Sequence, residues 1–256
     1  MNFSSNETTC APLRVCGENG EIYAMQYAPA SDAAEKYPVV ILCHAYNCTL
    51  ESVSDYAEKL AALGFIAITF DFCGGCTRSK SSGSPLEMSL KTELADLMAV
   101  SAAARELPIA DKDRVFLYGE SQGGCVAALA AGECSDDFAG LAMMYPALCI
   151  PDDWRRITEN GTPDTYELFG MTISKKFADG VPREDIFALI SRFEKPVLIL
   201  HGDSDEIVNI SYSERAEKAY KNARLSKYIG EGHGFSPKAR AAALARIHDF
   251  LKNAAK

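Results

Sequence analysis

Two rhythms of apolar and polar positions alternate along this chain. Short runs in which nearly every residue is apolar occur at Val39–Cys43, Phe65–Phe70, Val115–Tyr118, Leu141–Tyr145, Pro196–Leu200 and Leu225–Ile229. Between them lie longer stretches with helical spacing: Ser54–Leu63, Leu86–Leu107, Cys125–Ala131, and Pro237 to about Asn253. Gly64 and Pro108 stand where helices stop, and Pro237 where one starts. Near-continuous apolar strands alternating with helices predict an α/β fold: a mostly parallel sheet covered by helices on both faces. Ahead of this pattern, Val15–Tyr27 alternates loosely around Asn19-Gly20, the signature of a two-residue hairpin. Residues 149–195 break the rhythm; they are long, mixed and rich in Asp, Arg, Gly and Pro. Within a single domain spanning 1–256, this stretch reads as a short cap insertion between two core strands.

Composition narrows the function classes. The 256 residues are 48% hydrophobic, enough for a sizeable core, and carry a net charge of -9. That charge argues against nucleic acid and against anionic membrane surfaces as partners. No apolar run is long enough to span a bilayer. The start, Met1 to Pro12, is polar and lacks the apolar core of an export signal. Nine cysteines at scattered spacing do not form a secreted disulfide framework, so a cytoplasmic location with reduced thiols is expected.

The chemistry centres on Gly119-Glu120-Ser121-Gln122-Gly123, between an apolar strand and a helix. A serine flanked by glycines on such a turn reads as a nucleophile elbow. Its hydroxyl needs an adjacent base. His248 lies within a helix pattern, and His44 and His201 end strands. His233, in Gly232-His233-Gly234-Phe235, has a loop free to reach over the sheet. Asp205 is the carboxylate expected to orient it, with Asp203 a turn residue capping its own backbone. The order Ser121, Asp205, His233 is that of α/β-hydrolases. Activity is expected to rise as His233 loses its proton.

These marks, with His44-Ala45-Tyr46, Asp71-Phe72-Cys73-Gly74 and His201-Gly202-Asp203-Ser204-Asp205, resemble the α/β-hydrolase superfamily of serine hydrolases. In particular they are similar to small bacterial cinnamoyl/feruloyl esterases. The resemblance implies the α/β-hydrolase fold and cleavage of small-molecule carboxylic esters, hydroxycinnamoyl esters included, with no cofactor and no metal. It implies an oxyanion hole built from the backbone N–H groups of Tyr46 and Gln122. Ala45 replaces the usual glycine and would be strained if that position needs a positive φ.

Other readings of the same residues stay open. Cys73-Gly74-Gly75-Cys76, with Cys43 and Cys48 near by, has the makings of a zinc or redox site. Asp71 reads as a loop brace more readily than as a catalytic acid. Trp154, Tyr166 and Phe169, with Phe177 and Phe187, either line a substrate pocket or form the insertion's own core. The same triad would also serve a peptidase, an amidase or a thioesterase, although oligopeptidases of that kind usually carry a large N-terminal propeller. A non-catalytic binding protein on this fold is a third class. Oligomeric state is not legible.

Overall fold

The computed structural model describes residues 7–30 and 36–255. The first half of the polar stretch at Met1 to Pro12 therefore lies outside the described residues. Its second half enters the first strand. The chain opens with an antiparallel hairpin, β1 (Thr8–Gly17) and β2 (Gly20–Pro29). It continues through β3 (Tyr37–Cys43), α1 (Ser54–Ala62), β4 (Ile66–Phe70) and α2 (Leu90–Arg105). Next come β5 (Ala110–Glu120), α3 (Gln122–Glu133) and β6 (Gly140–Met144). The 149–195 stretch folds as α4 (Ile150–Thr158), the hairpin β7 (Thr165–Leu168) and β8 (Met171–Ser174), α5 (Lys176–Asp179) and α6 (Ile186–Ile190). The chain then runs through β9 (Val197–Gly202), α7 (Ser211–Ala219), β10 (Ala223–Tyr228) and α8 (Pro237–Ala254).

Eight strands form one sheet in the order β1-β2-β4-β3-β5-β6-β9-β10. From β4 to β10 every neighbouring pair is parallel, while β2 joins both its neighbours antiparallel. Every residue of β3, β4, β6 and β9 is buried, as strands covered on both faces must be. Alternate β3 residues feed two separate cores. Val39 and Ile41 pack with Leu97, Val100 and Ala127 from α2 and α3. Val40 and Leu42 pack with Tyr56, Leu60 and Ile247 from α1 and α8. Helix α3 is buried along almost its whole length, from Gln122 to Gly132. A Cβ on Gly132 would sit 2.5 Å from the Leu189 carbonyl of α6, so the two helices meet backbone to backbone.

Two local expectations need correction. In the first hairpin Gly17 pairs with Gly20, so the turn residues are Glu18 and Asn19 rather than Asn19-Gly20. Asn19 is held out of the strand by bonds from its amide to the Thr92 carbonyl and Asp96, at 3.0 and 2.9 Å. Gly20 is needed where the strand passes Ser82, whose Cβ would lie 2.6 Å from any added methyl. Helix α2 starts at Leu90 rather than Leu86, because Ser89 and Thr92 form a capping box there.

Candidate active site

The turn after β5 leaves no room for side chains at Gly119 and Gly123, either side of Ser121. A Cβ on Gly119 would lie 2.3 Å from the Gly123 carbonyl, and one on Gly123 would lie 2.3 Å from the His44 carbonyl. Only glycine fits either place. Ser121 between them has φ 51 and ψ -117, a conformation that costs an L-residue about 1–3 kcal/mol and persists only when its surroundings over-determine it. Here they do. The Ser121 N–H donates to the Met144 carbonyl at 3.0 Å, and its carbonyl accepts from Cys125 and Ala147 at 3.1 and 2.8 Å.

His233 reaches this serine from the loop between β10 and α8, its Nε2 lying 3.0 Å from Ser121 Oγ. Its Nδ1 lies 2.8 Å from Asp205 Oδ2. Burial alone would raise the Asp205 carboxyl, but hydrogen bonds from His201, His233 and the Val208 N–H outweigh it and hold it well below the usual carboxylate range. An ionised Asp205 requires the proton on His233 Nδ1. That leaves the Nε2 lone pair facing Ser121, able to accept the hydroxyl proton. Asp205 Oδ1 accepts from the backbone N–H groups of Ile207 and Val208, both at 2.9 Å, so the carboxylate cannot turn. Asp203 braces between loops rather than capping its own turn. Its Oδ1 accepts from the Gly230 N–H at 2.7 Å, which ties the β9 loop to the His233 loop.

Tyr46 and Gln122 join Ser121 on the wall of one cavity of about 410 Å³. As the first residue of α3, Gln122 has a backbone N–H with no intrahelical acceptor. Ala45 carries no strain: it lies outside the left-handed region, which Asn47 occupies instead with φ 52. Asp71 is a brace, accepting from the N–H groups of Leu50 and Lys80 at 2.7 and 2.8 Å. Cys73 and Cys76 are both buried, and burial with Asp96 near by pushes the Cys73 thiol up to about 12, which disfavours a reactive thiolate there. Among the described residues no three His, Cys, Asp or Glu side chains are grouped to hold a metal ion.

The aromatic residues of 149–195 divide. Trp154, Phe169 and Phe177 line the cavity. Tyr166, a candidate for the pocket or for the insertion's own core, is not on the cavity wall: it packs edge-on against Trp154, ring centres 4.9 Å apart. It lies two residues further from the hairpin tip than Leu168, which does reach the cavity. Phe187 lies in the core under the Arg215 guanidinium, 4.0 Å from its ring centre. At the cavity mouth Phe169 is 67% exposed and has φ 43, followed by Gly170 with φ 76. Leu168 pairs with Met171, so these two residues form a two-residue turn with both φ positive.

Residues 51–256 match the model of the prolyl oligopeptidase family. The chain belongs to the prolyl oligopeptidase family. Its fold is that of the α/β-hydrolases. The chain is 30% identical over 128 residues to the quorum-quenching protein AidA of Acinetobacter baumannii. It is 25% identical over 171 residues to the uncharacterized peptidase YtmA of Bacillus subtilis. The matches span 40% and 62% of those relatives' own lengths. The structure of Est1E from Butyrivibrio proteoclasticus with ferulic acid bound superposes with a TM-score of 0.86 at 25% identity, over 95% of this chain and 99% of that one. This family member's Tyr46 loop precedes the matched residues, so the family model does not bear on it.

Two residues escaped sequence reasoning in this prolyl oligopeptidase relative. His201 Nε2 faces both the Val208 carbonyl at 3.0 Å and Asp205 Oδ2 at 3.1 Å, and Ser213 Oγ is 2.6 Å from its Nδ1. Asp205 is thus gripped by two imidazoles on one oxygen. The second is Glu93 of α2, fully inside and accepting from Gln122 Nε2 at 2.8 Å. Burial pushes its carboxyl up to about 8 from 4.5, only partly offset by that bond. Between those two values the folded state holds a proton the unfolded chain releases, so this group's contribution to stability falls as pH rises. Glu93→Gln should therefore melt increasingly above the parent as pH goes from about 5 to about 9, by several degrees at the alkaline end. Thermal melts at both pH values check this; a constant offset would contradict it.

Phe169→Asn would install Asn-Gly, the pair this turn prefers. The variant should gain about 1 kcal/mol in denaturant titration by relieving the left-handed phenylalanine.

Proposed function

We propose that this chain is a carboxylic ester hydrolase working through Ser121, His233 and Asp205 and an acyl-enzyme intermediate, with hydroxycinnamoyl esters among its substrates. The observation that carries this is the unbroken hydrogen-bond chain Asp205–His233–Ser121 opening onto a largely apolar cavity. In this reading His233 takes the Ser121 proton as the hydroxyl attacks the ester carbonyl. The N–H groups of Tyr46 and Gln122 stabilise the oxyanion, charge that develops only in the transition state. His233 then protonates the leaving alcohol, and water repeats the cycle to free the acid. The apolar wall of Cys149, Ile150, Trp154, Leu168, Phe169 and Phe177 would take the acyl group. The whole chain acts as one hydrolase unit in which 149–195 roofs the site. Est1E, whose structure holds ferulic acid, supports the aromatic acyl preference.

A second reading, amide or peptide cleavage by the same residues, is favoured by the family match and by the likeness to YtmA. A panel of p-nitrophenyl esters of graded acyl length, methyl ferulate and aminoacyl p-nitroanilides tests both. Turnover of ferulate and short esters, with anilides untouched, is the expected result. Anilide cleavage at a comparable kcat/KM would move the assignment to a peptidase. Preference for short acyl chains with ferulate ignored would leave a general carboxylesterase.

A further inference from the structure

Glu120 stands immediately before Ser121 and is almost fully buried, with partners from its own strand and from two distant segments. Its Oε1 accepts from Tyr118 Oη at 2.6 Å and Arg240 Nη2 at 3.1 Å. Its Oε2 accepts from Tyr145 Oη at 3.0 Å and Arg240 Nη1 at 3.2 Å. Arg240 lies in the first turn of α8, seven residues after His233. Its guanidinium also covers the Tyr56 ring at 4.9 Å, and its carbonyl accepts from Tyr56 Oη at 3.1 Å. The same carboxylate therefore grips the chain on both sides of the Ser121–His233 contact: covalently next to Ser121, and through a bidentate pair next to the His233 loop.

Tyr145 completes the arrangement. It has φ 38, although it is a bulky residue for which the left-handed region is a true outlier. Its N–H donates to the Leu200 carbonyl at 2.7 Å, pinning it to β9. Its hydroxyl is fixed by Glu120, and its ring centre lies 4.6 Å from that of His233. Phe235, also left-handed with φ 55, packs edge-on against Tyr145 at 5.2 Å. Strain of this kind is held where geometry matters to function.

We propose that Glu120, Arg240 and Tyr145 are positioning residues that set the distance and angle of the His233 imidazole over Ser121. The pair fixes the His233 loop against the elbow, and the Tyr145 ring blocks the imidazole from swinging away. None of the three lines the cavity beside Ser121. This inference rests on the reading of Ser121 and His233 as nucleophile and base. A displacement of about 1 Å in such a contact can cost about 10²-fold in rate.

The test compares the parent with E120Q, R240M, E120Q/R240M, R240K and Y145F. It measures kcat and KM on p-nitrophenyl acetate, the rate of fluorophosphonate labelling of Ser121, and melting temperature. R240M and E120Q should each lower kcat and the labelling rate by about 10- to 100-fold, with KM within about threefold. E120Q/R240M should lose no more than the worse single variant, because no uncompensated buried charge remains. R240K should recover much of the rate by keeping the charge, and Y145F should fall between it and the parent. Should R240M fail to fold, R240K and Y145F carry the same comparison. Folded variants with parental kcat, losses that multiply in the double variant, or changes confined to KM would overturn the proposal. A parent that neither labels nor turns over would overturn the triad reading and this inference with it.

Discussion

Ser121→Ala is expected to reduce kcat by about 10⁶-fold, the loss seen in subtilisin when the nucleophile of such a unit is removed. The local structure makes this a clean measurement. Ser121 is held by three backbone hydrogen bonds, and the two close approaches beside it belong to Gly119 and Gly123. Alanine can occupy the same backbone conformation under the same restraint, so the fold and the cavity should persist. The hydroxyl alone is lost, leaving His233 with nothing to deprotonate. Steady-state assay on an activated ester beside a thermal melt decides it. Activity within tenfold of the parent, in a preparation free of parent enzyme, would mean that another group attacks the substrate.

Asp205→Asn should lower kcat by about 10⁴-fold, as the equivalent change does in trypsin-like enzymes, whereas Asp203→Asn should cost less than about threefold. Asp205 Oδ1 is committed to the N–H groups of Ile207 and Val208. An asparagine must place its carbonyl oxygen there, which puts its NH₂ where Oδ2 now faces His201 and His233. A donor would then face each imidazole. His233 can accept from that amide only by moving its proton to Nε2, which leaves no lone pair for Ser121. At Asp203 an asparagine oxygen still accepts from the Gly230 N–H, and nothing reactive is near. Equal losses in the two variants would show that the orienting carboxylate had been misassigned.

Much of this architecture is legible because the central strands are buried on both faces. Val39–Cys43 and Pro196–Leu200 announce themselves as unbroken apolar runs, and β3 and β9 occupy almost those residues. Elements with little to bury stay hidden. Helix α7 buries only Ser213 and Ala216, so it leaves no apolar stripe to read. The hairpin of β7 and β8 has four-residue strands that are half exposed. The site follows the same division. Ser121 and His233 are flagged by glycines that tight turns demand. His201 and Glu93 look like an ordinary strand end and an ordinary helix residue, and only distances across the fold reveal what they hold. Whether Tyr166 faces the cavity or the insertion's own core is not legible, because an aromatic in a hairpin carries no mark of which partner it faces.

The backbone contact between Gly132 and Leu189 bears on how enzymes of this shape could exchange specificities. Helix α6 packs on the helix that follows Ser121, backbone to backbone at Leu189 and through Ile186 and Ile190, with Phe193 in the same core. Excising 149–195 as a cassette would strip that helix and bring down the sheet. The β7–β8 hairpin reaches the cavity with its tip, Leu168 and Phe169, while Met171 and Ile173 are buried in the core, so a hairpin transplanted from a relative over 159–175 must keep those two side chains. Chimeras cut at those narrower borders should fold, while chimeras cut at the wider ones should precipitate.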